Sequence, residues 1–347
     1  MTSFATLRTP AFIVDRKILS RNAASMTARM KQRGVQFRPH LKTAKSAKVA
    51  ELVTAGNFGG ITVSTINEAA YFSDHGFRDI TYGICCMPQK LEAIASLQRK
   101  GTRVNLITDD VQMAQTIAQE AEALDTDFRV FIEVDTGLHR TGVDLDGQEL
   151  ESIARVLHEA PRLNFGGVFT HAGHSYHSKS IDQVKAIAEQ ERMGVVTAAT
   201  RVRENGILCP TVSVGSTPTA LQAESFEGVT EVRAGTYMFN DLFQVGIHSC
   251  QMEDIAISVL TTIVSHSQKR NRYLIDAGML ALSQDTSANE HREQIGYGLV
   301  RNETGTVLEG HYVADVHQEH GFVKSTKPIV FDKVPIGSRV RIVPNHA

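Results

Sequence analysis

Short apolar runs alternate with amphipathic stretches through the first 255 residues of the chain. A lone β-branched run at 11–15 comes first. The stretch 16–33 follows, with Ile18, Leu19, Met26 and Met30 at helical spacing, which predicts a helix. Eight strand-like runs then follow, at 36–39, 60–64, 79–84, 103–108, 128–135, 163–171, 211–215 and 229–234. Most are rich in β-branched residues and bounded by Gly, Pro or Asp. Helical patterns separate them at 44–55, 66–75, 89–100, 111–124, 150–159 and 181–205, while the connections after the seventh and eighth runs are less clearly helical. Strand alternating with helix implies parallel strands joined by crossover helices. Eight such units are the number that closes a (β/α)8 barrel.

From residue 256 the texture changes. Strand-like runs at 256–266, 272–277, 297–300, 310–316 and 339–343 are joined by turns, with little helical periodicity. The expected fold class is therefore α/β, a TIM barrel over 16–255 plus a C-terminal β-rich domain over 256–347. The first strand has no obvious place in the barrel, so 1–15 is assigned to the β domain.

Composition narrows the functional classes. Hydrophobic residues make up 42% of the 347, enough for a sizeable core, so disorder is not the main state. Lys plus Arg (36) nearly balances Asp plus Glu (38), and a net charge of −2 gives no electrostatic reason to expect nucleic acid or an anionic membrane as partner. No apolar run approaches the length of a membrane span, and the N-terminus has no secretory pattern. Four irregularly spaced cysteines fit a reducing, cytoplasmic setting better than a disulfide framework.

The unusual residues collect at the C-terminal ends of the expected barrel strands, where barrel enzymes place their chemistry. The first barrel strand ends in Arg38-Pro39-His40-Leu41-Lys42-Thr43 and the fifth in Asp135-Thr136-Gly137-Leu138-His139-Arg140-Thr141-Gly142. The sixth ends in Thr170-His171-Ala172-Gly173-His174-Ser175-Tyr176, the seventh in Gly215-Ser216-Thr217 and the eighth in Arg233-Ala234-Gly235-Thr236. Taken singly, each has a plainer reading: a solvated lysine, a core histidine, glycines that mark turns. Together on one rim, a phosphate-type loop, a lysine and an arginine point to pyridoxal phosphate, which needs a lysine for its covalent attachment. His174 and His177 have metal-like spacing with His171, but no carboxylate or thiol completes that set. Cys85-Cys86 is expected to pack at a strand end.

These segments resemble the motifs of the fold-type III pyridoxal-phosphate enzymes related to D-threonine aldolase and D-serine dehydratase. Arg38-Pro39-His40-Leu41-Lys42-Thr43 resembles the cofactor-lysine motif, and Val134-Asp135-Thr136-Gly137-Leu138-His139-Arg140-Thr141-Gly142-Val143 the arginine motif shared with alanine racemase. Val212-Ser213-Val214-Gly215-Ser216-Thr217-Pro218-Thr219 and Glu231-Val232-Arg233-Ala234-Gly235-Thr236-Tyr237 resemble the phosphate-binding segments. Gln318-Glu319-His320-Gly321 and Pro344-Asn345-His346-Ala347 resemble two late motifs of the β domain. Asn345-His346-Ala347 is similar to the dehydratase branch, which acts on D-serine and D-threo-3-hydroxyaspartate and reads Asn-His-Ala-Cys with His and Cys as metal ligands.

The resemblance implies a dehydratase of a D-3-hydroxy amino acid that forms an oxo acid and ammonia. The alternatives are retro-aldol cleavage to glycine and an aldehyde, or a non-catalytic pyridoxal-phosphate-binding protein. It implies Lys42 as cofactor lysine and base, Arg140 on the cofactor's phenolic oxygen and His171 against the ring. Tyr176, with Arg233 as rival, is implied at the pyridine nitrogen. Gly215, Ser216, Thr217, Gly235 and Thr236 are implied at the phosphate, and His320 as a second catalytic residue. It further implies a divalent metal (Zn²⁺, or Mg²⁺ or Mn²⁺) on His346. The second ligand of that motif falls one position past Ala347, so the expectation is a shortened chain. A homodimer is expected, with Gln318-Glu319-His320-Gly321 near a cofactor site.

Overall fold

The computed structural model describes residues 4, 6–291, 293 and 295–347. By packing, the chain divides into two compact units, 23–237 and 1–22 with 238–347. The first strand, β1 (Ala11–Val14), and the first half of α1 (Arg16–Gln32) fall in the second of these. The segment just after residue 238 has no strand of its own and is tied there by backbone bonds, Ala256 N–H to Phe239 O (2.7 Å) and Phe243 N–H to Asn345 O (3.1 Å).

The 23–237 unit is a parallel barrel. Its strands are β2 (Gln36–Pro39), β3 (Ile61–Val63), β4 (Asp79–Cys85), β5 (Arg103–Thr108), β6 (Phe128–Glu133), β7 (Leu163–Phe169), β8 (Thr211–Val214) and β9 (Glu231–Ala234). They pair in the order β2-β9-β8-β7-β6-β5-β4-β3. An isolated parallel bridge between His40 and Thr62 nearly closes the ring. The intervening helices are α2 (Ala47–Thr54), α3 (Ile66–Asp74), α4 (Leu91–Arg99), α5 (Val111–Ala123), α6 (Glu149–Glu159), α7 (Ile181–Glu204) and the short α8 (Thr217–Gln222). The expected helices are present, and the weak pattern after the seventh barrel strand is explained by the brevity of α8.

Local chemistry accounts for these boundaries. Thr65, Asp110 and Ser180 cap α3, α5 and α7 by accepting backbone N–H groups of Glu68, Met113 and Gln183. On α6, Leu150, Ile153, Ala154 and Leu157 form the buried stripe that holds the helix to the sheet. All three residues of β3 are buried, as expected of strands covered on both faces.

The barrel interior is layered. Near the N-terminal ends of the strands, Arg38 donates to Glu231 (2.8 Å) and to Asp79 (2.9 Å), and Asn105 Nδ2 donates to Asp79 (2.9 Å). Ile107, Phe131 and Phe169 form a small apolar cluster, with Cys85 packed on it.

The other unit holds α9 (Leu242–Gly246), β10 (Ile257–Ser267), β11 (Arg272–Ile275), α10 (Met279–Leu282), β12 (Gly298–Asn302), β13 (Val307–Val316), β14 (Gly321–Ser325) and β15 (Arg339–Pro344). β10 through β15 close an antiparallel barrel in the order β10-β11-β14-β13-β12-β15-β10, and β1 pairs with β10. Its core includes Val259, Ile263, Tyr273, Val313, Val323 and Ile342. The sequence reading missed β14, whose alternation is carried by Gly321 and Val323 inside and charged or half-buried residues outside. Among the described residues, no helix is long and apolar enough to cross a membrane.

Candidate active site

Ten of the expected site residues lie in the barrel unit: Lys42, Arg140, His171, Tyr176, Gly215, Ser216, Thr217, Arg233, Gly235 and Thr236. Each follows or ends a barrel strand. Lys42 follows β2 in a turn held by Leu41 N–H to Thr62 O (2.8 Å). Lys42 is exposed at the surface of the structure, yet the protein around its amine partly desolvates it and lowers its pKa, and the Arg140 charge lowers it further, against an opposing pull from Glu68.

Arg140 sits on a loop organised by Asp135, which accepts the N–H groups of Gly137 (2.8 Å) and His139 (3.1 Å). His139 adopts a positive φ of 55° and closes the turn with Nδ1 on the same carboxylate (2.8 Å). The Arg140 guanidinium is half exposed and makes a long ion pair of 3.9 Å with Glu133.

His171 follows β7. Its Nδ1 lies 2.6 Å from the Gly215 carbonyl, which only accepts, so Nδ1 carries the proton and a neutral ring has its lone pair on Nε2. Burial, with Arg140, Arg233 and Lys42 nearby, pushes its pKa down to about 3, although the Gly215 bond opposes this. The neighbouring His40 is driven well below the ordinary histidine range by burial and by the charges of Lys42, His171 and Arg233.

The loop after β8 is packed tightly. Gly215 has φ +154°, and a Cβ there would lie 1.9 Å from the Arg233 carbonyl, so only glycine fits. Ser216 caps α8 in a reciprocal pair with Thr219. Ser216 Oγ is 2.9 Å from Ser175 Oγ, and Thr217 N–H donates to Tyr176 Oη at 3.3 Å. Arg233 is buried; it donates to Ser213 and to the Thr170 carbonyl, and stacks on Phe169 with its guanidinium carbon 3.4 Å from the ring centre. Burial lowers its pKa to about 10, against the pull of Glu231, Glu191 and Glu133.

This donor set fits pyridoxal phosphate. A primary amine of lowered pKa is available to a carbonyl, an imidazole of fixed tautomer stands beside it, and a capped helix start with two hydroxyls offers an anion seat.

His320 and His346 belong to the other unit. His320 is exposed in the turn between β13 and β14, where its carbonyl accepts the His317 N–H at 2.8 Å. His346 is half exposed and its Nδ1 lies 3.2 Å from Asp241 Oδ2, which also accepts the Ala347 N–H at 2.9 Å. No third His, Cys, Asp or Glu joins this pair within ligand distance among the described residues. Two ligand-type residues do not by themselves close a metal site.

Sequence reasoning missed two groups. Cys85, Asp109 and Glu133 bring ligand-type atoms within 4.8 Å of one another at the strand ends. The Cys85 thiol has one proton for two carboxylate acceptors, Asp109 at 3.3 Å and Glu133 at 3.2 Å, and burial pushes its pKa up. These residues are far apart in sequence, and no pattern announces them. Glu191 is the second: it is buried, and its Oε1 accepts the N–H groups of Gly215 (2.8 Å) and Ala172 (3.1 Å). A signal for it did exist, a carboxylate on the apolar stripe of α7.

Comparison with known proteins agrees with this geometry. Residues 14–242 match the family model of the alanine racemase N-terminal domain, and residues 256–347 that of a putative serine dehydratase domain. The chain is 42% identical to D-threo-3-hydroxyaspartate dehydratase of Delftia sp. (strain HT23), over 99% of this chain and 91% of that protein. It is 32% identical to D-serine dehydratase of Dictyostelium discoideum, over 98% and 90%. A solved structure of a D-threo-3-hydroxyaspartate dehydratase variant in a metal-free form superposes with a TM-score of 0.96 at 42% identity, covering 100% of this chain and 92% of that one. The chain thus belongs to the fold-type III pyridoxal-phosphate enzymes, in the lyase family that holds D-serine dehydratase and D-threonine aldolase.

Proposed function

We propose that this chain is a pyridoxal-phosphate-dependent dehydratase of a D-3-hydroxy amino acid, D-threo-3-hydroxyaspartate or D-serine. Water leaves the substrate and is regained on hydrolysis, so the net products are an oxo acid and ammonia. The observation that carries this reading is the Lys42 amine. It follows a barrel strand, its pKa is lowered by burial and Arg140, and His171 and the loop of Gly215, Ser216 and Thr217 are near it on the same rim. When bound, pyridoxal 5′-phosphate supplies the electron sink that stabilises charge developing at the substrate Cα.

The chain's own residues do the rest. Lys42 would hold the cofactor through its amine and, when neutral, take the Cα proton. Arg140 would donate to the phenolic oxygen, and His171 would pack against the ring. Gly215, Ser216, Thr217, Gly235 and Thr236 would supply phosphate donors. Tyr176, with Arg233 as rival, would face the pyridine nitrogen. Arg233 is the weaker choice, because it already donates to Ser213 and Thr170. His320 is proposed as a second catalytic residue and His346 as a ligand for a divalent ion. The protein is proposed to act in the cytoplasm as a homodimer.

The deciding experiment is a product screen with D-threo-3-hydroxyaspartate, D-serine and D-threonine. An oxo acid with ammonia supports the proposal. Glycine with an aldehyde replaces it by the aldolase reading, and binding of the cofactor without turnover leaves a non-catalytic binder. Borohydride fixation should label Lys42; a label on another lysine removes the assignment. Light scattering tests the dimer.

A further inference from the structure

Helix α7 is 24 residues long, and Val184, Ala188, Val195, Ala198, Ala199 and Val202 are buried along it. Glu191 interrupts that stripe at 2% exposure. A carboxylate in such a place is costly unless its lone pairs are taken. They are: Oε1 accepts Gly215 N–H at 2.8 Å and Ala172 N–H at 3.1 Å, and the Thr219 side chain bonds to the same carboxyl group.

The two N–H groups belong to different loops. Ala172 follows β7 and adjoins His171, while Gly215 follows β8 and opens the capped start of α8. The same loops are joined directly by His171 to the Gly215 carbonyl (2.6 Å), Ser175 to Ser216 (2.9 Å) and Thr217 to Tyr176 (3.3 Å). Those bonds tie the loops to each other, and Tyr237 N–H donates to Thr217 Oγ1 at 3.2 Å. Glu191 comes from a third element and ties both to the helix layer.

We propose that Glu191 is a positioning residue of the barrel mouth, referencing His171 and the loop of Gly215, Ser216 and Thr217 to α7. Its effect on cofactor binding rests on the function proposed above; its effect on the loops does not.

The hydroxyls beside it sharpen the test. Burial raises the pKa of Glu191, opposed by its bonds to Gly215, Thr219 and Ala172 and by the Arg233 charge; when ionised the carboxylate only accepts, so Thr219 then donates to it. Thr219 Oγ1 is then left to accept from Ser216, whose Oγ is 2.9 Å away and whose N–H is 3.3 Å away. Glu191→Gln keeps an acceptor oxygen for both N–H groups but replaces the other oxygen by a donor. Glu191→Asp keeps the charge but is one methylene too short to reach both loops. Glu191→Ala removes the clamp.

The experiment has two arms on the full chain. In cofactor-free protein, ¹⁵N NMR reads the His171 ring. Wild type and Glu191→Gln should show Nδ1 protonated, and Glu191→Asp and Glu191→Ala a mixture of tautomers. In the second arm, titration with pyridoxal 5′-phosphate should show binding weakened on the order of ten- to a hundred-fold in Glu191→Ala and Glu191→Asp, and less than about tenfold in Glu191→Gln. Lower thermal stability with an unchanged His171 signal and unchanged binding would make Glu191 merely structural and overturn the proposal. If Glu191→Ala fails to fold, Glu191→Asp decides. If wild type binds no cofactor, the function proposed above fails while the NMR arm still tests the clamp.

Discussion

The two ends of the barrel interior are built from similar charged side chains that are matched differently. At the N-terminal ends of the strands, Arg38 pairs with Glu231 at 2.8 Å and Asp79 at 2.9 Å, and Arg103 adds a second cation to Asp79. Burial works against these charges, yet Arg38 and Arg103 hold the Asp79 carboxyl down to about 2, and the two carboxylates keep Arg38 above its usual value. At the C-terminal ends, Arg140 helps to lower the pKa values of Lys42 and His171, Lys42 helps to lower those of His40 and His171, and the ion pair of Arg140 is a long one of 3.9 Å. Matched charge at one end serves the fold. At the other, desolvation and the Arg140 charge keep the Lys42 amine ready to lose its proton.

That contrast can be broken most sharply at Lys42. Lys42→Ala should abolish turnover, on the order of a thousand-fold or more, and remove borohydride labelling, with the circular dichroism spectrum and melting temperature nearly unchanged. A variant that retains activity places the chemistry elsewhere.

The opposite behaviour is expected at the other end. Arg38→Met removes the cation hydrogen-bonded to the buried Glu231, leaving it only Ser213 and the more distant charge of Arg233, and should lower unfolding free energy by about 3 kcal/mol in urea. The fraction that remains folded should retain its cofactor affinity. A stable variant with damaged binding would show that the two ends are not separable in this way.

A pH scan compares the two ends in one sample. His171 has a folded pKa of about 3 against an ordinary value of 6.5. Between those values the unfolded chain binds more protons, so stability is fully present above about pH 6.5 and is lost as pH falls toward 3. His171 alone should cost about 3 kcal/mol at pH 4 relative to pH 7. His171→Asn should flatten that part of the melting curve. Asp79, with a folded value of about 2, shows the same sign at lower pH, because its carboxylate is favoured by folding.

The smallest effect sharpens the electrostatic account of Lys42. Removing a like charge raises an amine's pKa, so Arg140→Met should move the pH dependence of amine labelling in cofactor-free protein upward. Glu68→Gln should move it downward, because Glu68 opposes the shift. Equal or same-sign movements would mean that burial alone sets the amine.

Much of this was readable before any coordinates. The eight barrel runs, the motif loops at their ends and the separate β region follow from periodicity of two against 3.6 and from Gly, Pro and Asp at the boundaries. The misses have physical reasons. β14 pairs with both β11 and β13, but inside it only Gly321 and Val323 are fully buried, too little alternation to stand out. Cys85, Asp109 and Glu133 meet only because β4, β5 and β6 are neighbours in the sheet.

The sequence by itself determined which residues stand at the strand ends, because local hydrophobic period and turn residues set where each strand stops. Only the tertiary structure decided what those residues face. That His171 donates from Nδ1, that Arg233 is occupied by Ser213 and Thr170, and that Glu191 clamps two loops all depend on residues 19 or more positions apart arriving at hydrogen-bond distance. Such distances are set by barrel closure and helix packing, and no local pattern along the chain records them.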